Sequence, residues 1–176
     1  SSIMQAKFLR FIEDILITPL SGLEISLSYI IGGAVRGVLN GILVLLLAYL
    51  ITGLHIENWF LTLVYLSAVA WAFAGAGVIV GIYAKSWDSI MVLTNFFLMP
   101  LTFLGGVFYS IEMLPDFWRN ISMVNPLYWM INGLRYATLG IADTSHELSL
   151  GVSILFAIFF SSLASYMFSK GYRIKT

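Results

Sequence analysis

Apolar residues gather in four long blocks, at about 34–54, 59–83, 89–109 and 148–168. Each holds about 20 residues, the length a helix needs to cross about 30 Å of hydrocarbon. Barrel strands would be about half as long and would alternate strictly. The pattern therefore predicts an all-α, polytopic transmembrane helical bundle with four spans. A helical lead-in from Glu24, carrying Gly32-Gly33 and Arg36, precedes the first block. The third block contains Pro100, which removes a backbone donor and bends a helix, and Gly105-Gly106 loosen its far end.

Two segments are patterned differently. In residues 3–17, Met4, Phe8, Phe11, Ile12 and Ile15 recur at helical spacing while Lys7, Arg10 and Asp14 take another face. That is an amphipathic helix too polar to span. Arg10 and Asp14 are four apart and able to pair, and Thr18-Pro19 ends the helix because the residue before a proline leaves the helical region. The second segment, 110–147, is long and rich in apolar residues. Asn125-Pro126 reads as a helix start, an asparagine cap followed by a proline in the first turn. Gly140 reads as the stop after Leu139. That helix of about 14 residues would be about 21 Å long, short of a crossing. A second short helix is expected over Pro115 to Ser122. Together they predict a helical hairpin that dips into the outer leaflet and returns, with Glu112, Asp116 and Arg119 near water.

Charge fixes orientation. The seven basic residues Lys7, Arg10, Arg36, Lys85, Lys170, Arg173 and Lys175 fall on the side of both termini, and only Arg119 and Arg135 fall on the other. Basic residues collect on the cytoplasmic side, so both ends and the 84–88 loop are expected inside and 110–147 outside.

Composition agrees: 60% of the 176 residues are hydrophobic and 10% charged, against roughly 25% charged in soluble domains. Nine basic and nine acidic residues cancel, which gives no sign of a nucleic-acid partner. There is no cysteine, hence no disulfide framework or thiolate metal site. The opening Ser1-Ser2 has neither a methionine nor a signal-peptide layout, and reads as a truncated or processed start.

Enzyme chemistry finds little footing. His55 and His146 lack zinc-site spacing, no Ser/His/Asp arrangement is visible, and no phosphate loop with its lysine appears. Acidic residues avoid the middle of the spans, where an ion-coupled carrier needs them. No internal repeat supports such a carrier either. No cofactor or metal is implied. Gly33, Gly37 and Gly41 on the first span, and Gly77 and Gly81 on the second, are four apart, a spacing that lets helices approach closely in lipid. Arg36 is expected to snorkel to the inner headgroups, and Asn40 and Asn95 to hydrogen-bond between helices.

The stretch PLTFLGGVFYSIEMLPDFWRNISMVNPLYWMINGLRYATLG, Pro100 to Gly140, closely resembles the signature region of type-2 ABC transporter permeases. EDILITPLSGLEI, Glu13 to Ile25, resembles the cytoplasmic segment before that family's third span, and AKSWDS, 84–89, the loop before its fifth. The likeness runs through nearly the whole chain and lacks the family's first two spans.

The resemblance implies a single permease domain over 1–176. It implies a cytoplasmic coupling helix at 1–20, where Arg10, Glu13, Asp14, Thr18 and Pro19 meet an ABC ATPase subunit, and a second permease copy in the membrane lipid of a bacterial inner membrane. Transport would be export of a drug-, lipid- or saccharide-type amphiphile. The 110–147 hairpin would cap an exit path beside Pro100, Gly105, Gly106, Asn125 and Pro126. An ion-coupled transporter, a membrane enzyme and a non-transporting scaffold fragment are the alternatives.

Overall fold

The computed structural model describes residues 20–84 and 86–170, together with Ile3 and Gln5. The predicted helix at 3–17, including Arg10, Glu13, Asp14, Thr18 and Pro19, therefore lies outside the described residues apart from those two positions, as does Lys85.

Helix α1 spans Gly22–Thr52 and opens on a capping box. The Ser21 hydroxyl accepts from the Glu24 amide while the Glu24 carboxylate accepts from the Ser21 amide at 2.7 Å. The expected lead-in and first span are thus one helix of 31 residues, about 46 Å at 1.5 Å per residue. It stops at Gly53, whose φ of 67° places it in the left-handed region. Helix α2 spans Trp59–Tyr83, capped by Asn58 through the Leu61 amide.

Helix α3 spans Trp87–Leu104 and is shorter than expected. Its middle, Thr94–Leu98, is a π turn in which the Met99 amide bonds to the Thr94 carbonyl five residues back. Pro100 follows at once and supplies no amide. The predicted extension to 109 fails at Gly105-Gly106: Gly106 has φ 78°, and the chain turns away. Apolar side chains continue through Val107 and Phe108, so hydropathy alone runs past the real end. A 3-10 turn at Ile111–Met113 leads to α4, Asp116–Val124. Helix α5 spans Pro126–Leu139, with Asn125 as cap and Gly140 as the left-handed stop. Helix α6 spans His146–Ser169.

These residues form the predicted all-α bundle, with four helices (α1, α2, α3 and α6) long and apolar enough to cross a membrane. Helix α2 is its centre and packs on α1, α6 and α5. Toward the Tyr83 end, Ile30, Ile82, Ala164 and Phe168 form one apolar core. Farther along, Ala72, Leu127, Met130 and Ala157 form a second. Leu127, in the first turn of α5, thus packs at the level of Ala72. Thirteen residues separate Ala72 from Trp59, about 20 Å along the axis, so the hairpin tip reaches the middle of the bundle. The other end of α5 is tied to the α1–α2 loop, where the Glu57 and Asn58 amides donate to the Thr138 and Ala137 carbonyls, each at 3.1 Å.

Candidate functional site

The Leu104 end of α3 meets the start of α5 through one side chain. Asn125 accepts from the Leu127 amide at 3.0 Å, which caps α5, and its Nδ2 donates to the Leu101 carbonyl at 2.6 Å. One amide therefore serves two helix ends that each need a partner. Close by, a Cβ on Gly105 would lie 2.7 Å from Ile131 Cδ1, and one on Gly106 would lie 3.2 Å from the Tyr109 carbonyl oxygen. Gly105, Gly106, Asn125 and Pro126 are thus brought together. Pro100 is one turn back on α3 and faces outward.

Among the described residues, α3 meets the rest of the bundle chiefly here, through its last turns against α5. The π turn and Pro100 lie just below it, where the backbone ladder is weakest. The helix is thus fastened near one end, with its irregular backbone beside the fastening.

Gly33, Gly37 and Gly41 face α2. Cβ atoms on the first two would sit 3.0 Å from the Cβ atoms of Ala74 and Ala70, and one on Gly41 would strike Leu66. Gly77 differs, for a Cβ there meets nothing within 4 Å. The expected hydrogen bonds of Asn40 and Asn95 are not formed among the described residues; both side chains are on exposed faces. Each sits on the outward side of a helix whose neighbour is elsewhere. Arg36 is exposed as well.

Sequence reasoning missed a buried polar cluster around the loop that joins α5 to α6. Arg135 Nη2 pairs with Asp143 Oδ2 at 2.6 Å, with the side chains 20% and 7% exposed. Asn132, wholly buried, accepts from the Asp143 amide at 2.9 Å and donates to Ser149 Oγ at 3.0 Å and Thr144 Oγ1 at 3.1 Å. The Tyr128 hydroxyl meets Thr144 Oγ1 at 3.0 Å, and the Ile111 amide donates to Asp143 at 3.2 Å. Burial pushes the Asp143 carboxyl up. Hydrogen bonds from Arg135, Ser110 and the Ile111 amide, with the Arg135 charge, outweigh that and hold its pKa below the ordinary value. The cluster ties α5, the 3-10 turn and the start of α6 together at one end of the bundle. Its one sequence signal is Asn132 and Arg135, three apart on an otherwise apolar helix.

Comparison with known proteins gives a consistent result. Residues 1–139 match the family described as ABC-2 type transporter. The chain is 37% identical over 171 residues to the inner membrane transport permease YadH of Escherichia coli K12, covering 97% of this chain and 67% of that protein. The Shigella flexneri protein of the same name matches equally. Nodulation protein J of Sinorhizobium fredii is 29% identical over 158 residues, covering 88% of this chain and 58% of that protein. No solved structure matches the chain.

Proposed function

The chain belongs to the ABC-2 type transporter family and is a membrane permease subunit of an ABC transporter, and from that premise we propose that it exports an amphiphilic substrate across the bacterial inner membrane. The energy comes from ATP hydrolysis on a separate ABC ATPase subunit. Two permease copies stand side by side in the lipid, each a single domain, with both ends of this chain cytoplasmic. The seven-to-two split of basic residues supports that orientation.

The mechanism is mechanical. ATP closes the ATPase pair, the segment holding Arg10, Glu13, Asp14, Thr18 and Pro19 moves with it, and the bundle changes between two packings. Pro100, Gly105, Gly106, Asn125 and Pro126 form the moving joint at the outer end. Gly33, Gly37 and Gly41 keep α1 close against α2 while the joint works.

The observation that carries this reading is the fastening of α3 to α5 at Asn125, next to the π turn. A hold of this kind would let the hairpin follow a movement of α3. The test is to purify the full-length protein with its ATPase and reconstitute both in liposomes. Transport of a co-purified lipid or small molecule should require ATP and both subunits. Transport that needs a proton or sodium gradient instead, and ignores ATP, would overturn the proposal.

A further inference from the structure

Between α3 and the rest of the bundle lies a cavity of about 270 Å³. Helix α2 lines it with Ala76 and Gly77, α3 with Leu93 and Leu98, α5 with Leu127 and α6 with Phe160. Drug-sized ligands take clefts of about 300–1,000 Å³ with several polar groups; this cavity is smaller and almost wholly apolar. Its one hydroxyl, on Thr94, already donates to the Ile90 carbonyl at 2.9 Å. Water needs two to four polar partners to stay in such a space, and the side chains of the walls supply one, the Thr94 oxygen.

The space is open by construction. Glycine 75 is packed tight, since a Cβ there would lie 2.9 Å from Phe160 Cβ. Two residues on, Gly77 looks into emptiness. On the far wall the π turn widens α3, and such turns occur often at functional sites. Along α2 the cavity runs from Ala72 to Val80, about 12 Å. It therefore begins one turn from Tyr83, at the end of the bundle where the exposed aromatics Tyr83 and Trp87 stand. Aromatics of that kind mark the headgroup level. Outside it, the apolar side chains of Met91, Phe96 and Phe97 are exposed.

We propose that this cavity seats the hydrocarbon tail of one amphiphile, with its headgroup at the Tyr83–Trp87 interface and its tail end beneath Leu127. The tail fills the gap between α3 and α2 and sets how far α3 stands off. Two sources share this chemistry: a phospholipid of the adjoining leaflet, or a single-chain amphiphile. The inference rests on the chain spanning a membrane and not on export.

Photolabelling tests it without any transport assay. The full-length protein is placed in liposomes of phosphatidylethanolamine and phosphatidylglycerol. One arm adds phosphatidylethanolamine with a diazirine at the end of an acyl chain; the other adds dodecanoic acid with a terminal diazirine. Labelled residues are mapped by peptide sequencing. Label is expected on Leu98, Leu127 or Met130 in at least one arm. It should be lost in Gly77→Phe and in the smaller filling variant Gly77→Leu, while Phe96 and Phe97 stay labelled. Cavity label from the phospholipid alone identifies a resident lipid, from the fatty acid alone a single-chain guest, and from both a site open to either. Label on Phe96 and Phe97 with none in the cavity, or cavity label that survives a folded filling variant, would overturn the proposal.

Discussion

The ring of Tyr65 occupies the place where a side chain on residue 133 would have to be. Any Cβ on Gly133 would strike it. From that position the Tyr65 hydroxyl donates to the His146 carbonyl at the start of α6. Tyr65, wholly buried, thus joins α2, α5 and α6 at a single point. Gly133→Ala should destabilise the protein by about 1–3 kcal/mol, the usual cost of overpacking a tight core. Gly77→Ala, which meets open space, should stay within about 0.5 kcal/mol of the parent. Thermal unfolding of the two variants in detergent checks the contrast.

The Arg135–Asp143 pair predicts a dependence on pH. The folded Asp143 pKa lies below its unfolded value, so the pair contributes stability above about pH 4 and loses it as pH falls through the lowered value. Asp143→Asn should cost about 1.5–3 kcal/mol at neutral pH, the range for a charged hydrogen bond. The difference between parent and variant should shrink in acid. Unfolding curves at several pH values test this, and a difference that does not change with pH would count against the pair.

Much of this fold was legible because its signals are local. Span length and hydropathy located α2 to the residue and α6 within two. Asn125-Pro126 and Gly140 bounded α5 because a cap and a left-handed stop are properties of neighbouring residues. The end of α3 was misplaced because Val107 and Phe108 keep the run apolar after the backbone has turned at Gly106. The Asn132–Asp143–Ser149 cluster was invisible because its members meet only when α5, its following loop and α6 are assembled. Asn40 and Asn95 misled because a polar residue in an apolar run says nothing about which face it takes.

The joint between α3 and α5 should be lockable. This chain has no cysteine, and a Gly105→Cys, Ile131→Cys pair is the test, because a Cβ at position 105 would lie 2.7 Å from Ile131 Cδ1. Oxidation should stop ATP-driven transport and reductant should restore it. Transport at the normal rate with the crosslink intact would make the hairpin a static anchor.

Orientation is checked by Ser86→Cys. Ser86 is exposed between α2 and α3, and an impermeant thiol reagent should reach it only after the cells are opened. Labelling in intact cells would reverse the assignment of sides.

Coupling to the ATPase is checked by reversing charge at Glu13 and Asp14 together. ATP hydrolysis should continue while transport falls away, with the permease still inserted. Unchanged coupling of hydrolysis to transport would remove these residues from the docking surface.

Helix α3 has the lowest mean hydropathy of the four candidate spans, 1.4 against 2.0 or more for the others. A ribosome completes Leu104 well before it adds Asn125 and Ile131, the residues that fasten this span. The nascent chain thus passes through a stage at which its least apolar span lacks the hydrogen bond from Asn125 that fastens it. A chain interrupted between Leu104 and Asn125 therefore lacks the residues that fasten α3 to its neighbours.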